Sequence, residues 1–138
     1  MARSHVERPR VYRLSEELAD QIWSVVRGWD SFARDTIGKQ LVRAADSVGA
    51  NISEGSGRGS FSDNKRFVRI GRGSFHETQF WLRRAFKRRL LTSSQIDRLK
   101  PLVDELGPTL NAYLSSIGPC SKSPGIVSQA SKEELNDR

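Results

Sequence analysis

The chain holds one cysteine, Cys120, in 138 residues, which excludes an intramolecular disulfide. Its two histidines, His5 and His76, lie far apart, so no His/Cys set has the spacing of a metal site. Neither a metal nor a cofactor is expected. No apolar run approaches the roughly 20 residues that span a bilayer. The opening MARSHVERPR is polar and basic and has no signal-peptide core. The expectation is therefore a cytoplasmic protein without membrane contact, and the Asn51-Ile52-Ser53 sequon carries no weight. The alternation of apolar and polar residues that marks a strand is also missing.

Acids are scarce as well: 16 Asp and Glu stand against 23 Lys and Arg, a net charge of +7. Such a surplus favours polyanions or an acidic partner. A hydrophobic content of 36% is enough for one core, so a single folded domain is expected.

What is present is helical periodicity. Residues 1–13 read as a basic N-terminal extension. Ser15 then looks like an N-cap, with Glu16, Glu17 and Asp20 near the positive end of a helix dipole. Leu18, Ile22, Val25, Val26, Trp29 and Phe32 make the apolar stripe of this first helix. A second helix is predicted from Asp35 or Thr36, with Ile37, Leu41, Ala44, Ala45, Val48 and Ile52 inward. Glycines 38 and 49 allow close packing, and glycines 55, 57 and 59 stop the helix.

Ser62 or Asp63 is expected to cap a third helix reaching about Arg89. On a helical projection Phe67, Ile70, Ser74, Thr78, Trp81 and Ala85 share one side, with Phe75 and Phe86 at its edge. Thr92-x-x-Gln95 has capping-box spacing for a fourth helix. That helix carries Ile96, Leu99, Val103, Leu106, Leu110, Tyr113 or Leu114, and Ile117 inward. Pro101 and Pro108 predict a kink in it. Residues 118–138, rich in Gly, Pro and Ser, read as a flexible C-terminal tail. The fold expected over 14–117 is an all-α, antiparallel up-down-up-down four-helix bundle.

The positive charge is concentrated on the third helix. From Arg58 to Arg89 there are ten Lys or Arg and two acids, Asp63 and Glu77, a local surplus of eight. Lys65, Arg66, Arg69, Arg72, Arg83, Arg84, Lys87 and Arg88 form the candidate nucleic-acid-binding set. A row of cations can follow a phosphate backbone, giving affinity and salt dependence without sequence choice. Phe75 and Phe80 are placed to stack on bases or to meet another subunit. Two other readings fit the same pattern: an ordinary solvated helix face, and a docking surface for an acidic protein partner.

Signals of catalysis are thin. Gly55-Ser56-Gly57-Arg58-Gly59 follows a helix and lacks the Lys-Ser/Thr ending of a phosphate-binding P-loop, so it reads as a helix stop. Glu54 and Glu77 would form an acid/base pair only if they met across helices two and three. The simpler expectation is that each pairs with arginine or caps a neighbouring backbone. Asn51 is expected to bridge two helices. No catalytic residue is assigned.

Residues Thr36 to Leu41, Arg43-Ala44-Ala45, Ser47-Val48, Asn51-Ile52-x-Glu54-Gly55 and Arg72-Gly73-Ser74-x-x-Glu77 resemble the four helix bundle protein family. That family includes proteins encoded by intervening sequences in bacterial large-subunit rRNA genes. The resemblance covers about residues 14–117. It implies a four-helix fold, a ring-like homo-oligomer (a pentamer) and no catalysis. It implies structural roles for Asn51, Glu54, Gly55, Ser74 and Glu77. The chain is also similar to accessory proteins of diversity-generating retroelements, where such a bundle assembles with a reverse transcriptase and nucleic acid.

Overall fold

A computed structural model of the protein describes residues 9–119. Within them the chain forms α1 (Arg10–Arg27), a single turn α2 (Ser31–Ala33), a π-helical segment (Arg34–Gly38), α3 (Lys39–Ser56), α4 (Phe61–Lys87) and α5 (Ser93–Ser116). The turn, the π segment and α3 run on as one long helix, so four long helices make an antiparallel up-down-up-down bundle with no strand among the described residues. α3 lies between α4 and α1, and α1 lies between α3 and α5. The α4–α5 seam that closes the ring is the sparsest. The expected C-terminal tail lies outside the described residues except for its first two positions.

α1 begins five residues before the expected cap. Pro9 stands at its N-cap, and Val11 and Leu14 are buried with Leu18, Ile22, Val25 and Val26. Ser15 is thus an interior residue rather than a cap. Buried, it donates its hydroxyl proton to the Val11 carbonyl at 2.7 Å, which satisfies it locally. Phe32 does not join the core either. It follows the end of α1 and is 78% exposed, because Asp30 has already started the next helix by accepting from the Ala33 amide. Thr36 turns its hydroxyl back to the Phe32 carbonyl at 2.6 Å, the kind of back-bonding that widens and bends a helix. The π segment sits at that point.

The inward positions expected for α3 are all buried. Ser60, not Ser62 or Asp63, caps α4 by accepting from the Asp63 amide. The capping box at Thr92 and Gln95 forms in both directions, at 2.9 and 3.1 Å. α5 runs unbroken through Pro101 and Pro108. The prolines are seven residues, two turns, apart and both exposed, so the carbonyls they leave unpaired face water, where the loss is tolerable. Leu99, Leu102, Leu106, Leu110 and Leu114 fill the opposite face, and Val103 is only half-buried. Each buried leucine contributes about 1.5–3 kcal/mol. Trp29 ties two corners together by donating its indole proton to the Leu90 carbonyl at 2.9 Å. An ion pair of Arg10 with Glu105 joins the start of α1 to α5.

Candidate nucleic-acid interface

The buried side of α4 is Val68, Gly71, Phe75, Thr78 and Ala85. Thr78 and Ala85 are inward as expected, but the rest of the face is turned from the expected one. Ile70 is 44% exposed, Phe67, Ser74 and Trp81 are half-buried, and Phe75 is a core residue rather than a stacking platform. The turn has a physical cause in Gly71. A Cβ there would come within 3.2 Å of the Val48 carbonyl oxygen, so glycine lets the α4 backbone settle onto α3 at that position. Hydrophobic periodicity does not register a glycine as an inward residue, and the bulky Phe67, Ile70 and Trp81 pull the projected stripe toward themselves.

Gly55 does similar work from the other helix. Rather than stopping α3, it is buried inside it, and a Cβ there would fall 2.7 Å from Asn64 Oδ1 and 3.0 Å from the Asn64 carbonyl oxygen. That Oδ1 is buried with no hydrogen-bond partner, a cost of about 1–3 kcal/mol that the close approach carries. Gly57 ends α3.

With α4 held this way, its cations spread over the remaining arc. Arg66, Arg69, Arg83, Lys87 and Arg88 are exposed, whereas Lys65, Arg72 and Arg84 are half-buried. Arg72 points toward α5 and donates to Asn111 Oδ1 at 3.1 Å. Arg66 lies over the Phe67 ring at 4.7 Å, with Arg58 over the same ring at 5.0 Å. Among the described residues none of Lys65, Arg66, Arg72, Arg83, Arg84, Lys87 and Arg88 has a carboxylate partner; Arg10, Arg34, Arg58 and Lys100 are among the cations that do form ion pairs. Phe80 is 46% exposed on the same side and meets Trp81 edge-on, with ring centroids 4.9 Å apart.

α4 ends in a Schellman turn. The Leu90 amide donates to the Ala85 carbonyl and the Arg89 amide to the Phe86 carbonyl, with Arg89 at φ 61°. The sequence places a cation where glycine would relieve strain.

The polar side chains of the structural motif bond locally along the chain. Glu54 pairs with Arg58 at 3.1 Å, and Glu77 accepts from the Trp81 indole at 3.1 Å. Asn51 donates to the Ser47 carbonyl one turn back instead of bridging helices, although its Cβ packs close to Gly71. The Ser74 carbonyl accepts from the buried Thr78 hydroxyl.

One cluster is not legible in the sequence. Arg27 on α1 and Arg34, Lys39 and Arg43 on the second long helix surround an apolar slot with Trp23. Further along the same seam, Glu16, Asp20 and Asp46 line a groove of about 280 Å³. Burial, and secondarily the Asp20 charge, pushes the Asp46 carboxyl above the usual aspartate value. No three His, Cys, Asp or Glu among the described residues gather as a metal site, and none of the described helices is long and apolar enough to cross a membrane.

A crystal structure of a protein of unknown function from the S23 ribosomal protein family of Bacteroides thetaiotaomicron has a similar fold. The TM-score is 0.66 at 24% identity, over 75% of this chain and 97% of the other. No curated protein matches. Residues 7–112 match the family described as 23S rRNA-intervening sequence protein, three quarters of the chain's length and nearly all of its bundle. The chain therefore belongs to the 23S rRNA-intervening sequence protein family.

Proposed function

We propose that this protein is a non-enzymatic module that binds RNA or DNA through the basic face of α4 and works as a homo-oligomer in the cytoplasm. The observation that carries the reading is the unneutralised row on α4. Arg66, Arg83, Lys87 and Arg88 are exposed and have no carboxylate partner among the described residues. An ordinary solvated face would interleave acids, and here Glu77 is the one acid between Lys65 and Arg89. A helix dipole accounts for cations in the last turn, but not for Lys65, Arg66 and Arg72. The strained Arg89 extends the row beyond the helix end.

The proposed assembly is a ring, a pentamer as the family resemblance implies, in which neighbouring α4 faces join into one positive surface. A reverse transcriptase is the proposed protein partner, by the similarity to accessory proteins of diversity-generating retroelements. Glu54, paired with Arg58 just past the end of α3, and Glu77, bonded to Trp81, offer no paired acid and base.

The test is salt-dependent binding of the full chain to RNA and DNA. Each lost phosphate contact lowers the slope of log K against log salt by about 0.9. Combined Arg66→Glu, Arg83→Glu and Lys87→Glu substitutions should lower it by about 2–3 and weaken binding to every sequence alike. Helical content by circular dichroism should be retained. Unchanged affinity in that variant would sink the proposal.

A further inference from the structure

We propose that the slot between α1 and the π-helical corner is a second nucleic-acid contact, one that takes an unstacked base of a single strand. The base would lie against Trp23, and the phosphates on either side would meet Arg27, Arg34, Lys39 and Arg43. The slot encloses about 310 Å³, at the small end of ligand pockets. Its floor is Val26, Val42 and the backbone at Gly38.

Three observations point to this occupant. Trp23 is 54% exposed on the solvent side of an amphipathic helix, so a flat indole surface is left open beside an apolar floor. All four surrounding cations are exposed. Arg34 reaches Asp35 only at 3.7 Å, and the side chains of Arg27, Lys39 and Arg43 have no partner among the described residues. An apolar floor inside a cationic rim fits a ligand with a flat apolar body and negative ends, which describes a nucleotide in a single strand. Finally, the π segment forms one wall. π turns interrupt regular helix hydrogen bonding and recur at functional sites. Gly38 lets the wall approach, since a Cβ there would fall 2.7 Å from Val26 Cγ1.

The inference rests on the reading of the chain as a nucleic-acid binder, but on different residues from the α4 face. A duplex presents phosphates without a free base, so α4 and the slot should differ in what they accept. Stacking of one base on an aromatic side chain is worth roughly a 5- to 150-fold change in affinity.

Three probes separate the possibilities: a short labelled single strand, an abasic strand of the same length, and a duplex. The full chain should bind the base-bearing strand about ten-fold more tightly than the abasic one. Trp23→Ala should erase that difference and leave abasic and duplex binding unchanged, whereas Trp23→Phe should keep most of it. Combined Lys39→Glu and Arg43→Glu should weaken both single strands and spare the duplex. The α4 triple variant should weaken all three probes; if it does not while Trp23→Ala still acts, α4 fails and the slot stands. Equal binding of base-bearing and abasic strands by the unaltered chain would overturn the slot, as would an equal loss on all probes in Trp23→Ala. A changed oligomeric mass in Trp23→Ala with the base preference intact would assign the slot to a subunit contact instead.

Discussion

α3 has two unlike sides. Toward α4 it is sealed: Gly55 and Gly71 bring backbone against backbone, leaving no room for even a methyl group. Toward α1 it is grooved: a Cβ at Gly49 would meet Ser15 and Tyr12 at ordinary contact distances, 3.6 and 3.9 Å, and two depressions open along the seam. Only at Gly38 does this side tighten, and there against a side chain. The sealed side fixes the rotation of α4 and thereby aims its cations outward. The grooved side leaves polar and aromatic groups beside cavities. A helix of small residues thus does two jobs, and which glycines are indispensable follows from what each one faces.

The comparison breaks most severely at Gly55. Gly55→Ala must push a methyl against Asn64 Oδ1 and the Asn64 carbonyl oxygen, atoms on the helix that carries the basic row. The loss should be about 3 kcal/mol, the upper range for overpacking. The urea midpoint, followed by circular dichroism, measures it. Failure to accumulate folded protein would bear out the same expectation, and a loss under about 1 kcal/mol would show that the seam yields.

Gly71 and Gly49 test the contrast with opposite signs. Each sits inside a helix, where alanine is favoured over glycine by about 1 kcal/mol. At Gly71 the Val48 carbonyl oxygen, 3.2 Å from the new methyl, belongs to the tightest seam and cannot retreat, so Gly71→Ala should destabilise by about 1 kcal/mol net. At Gly49 nothing opposes the propensity gain, so Gly49→Ala should stabilise by up to about 1 kcal/mol. Thermal midpoints moving the same way in both variants would erase the distinction between the two sides.

That distinction also explains what could be read in the sequence. Leucine, isoleucine and valine recurring at helical spacing located the cores of α1 and α3, and Thr92-x-x-Gln95 announced the start of α5. Gly55 reads as a stop because it opens a run of alternating glycines, and nothing in composition separates a glycine that ends a helix from one that is pressed against a neighbour. At Gly71 the sequence does speak, since Gly71-Arg72-Gly73 inside a helix reads as a mark of close packing and Gly71 bears it out. The helical projection, weighted by bulky residues, nonetheless turns the expected face of α4 toward Phe67, Ile70 and Trp81. The α4 cations were legible because they crowd one helix. Arg27, Arg34, Lys39 and Arg43 were not, because they come from two chain segments with Asp30 and Asp35 interleaved. Only the crossing of the helices collects them.

The mildest test lies in the acidic groove at the other end of the α1–α3 seam. There the Asp46 carboxyl is raised above its ordinary pKa by burial and by Asp20, which means the folded state holds its proton more tightly than the unfolded one. Between the ordinary pKa and the raised one, stability therefore falls as pH rises, and above the raised value the full penalty stays. Asp46→Asn removes the charge without changing the shape. It should raise the melting temperature near neutral pH, with a gain within about 0.5 kcal/mol because the site is at the surface. The advantage should shrink as pH falls and vanish at about pH 3, below the ordinary aspartate pKa. An advantage that persists there would come from packing rather than charge. It would mean that the grooved side of α3 is held more like the sealed one than its cavities suggest.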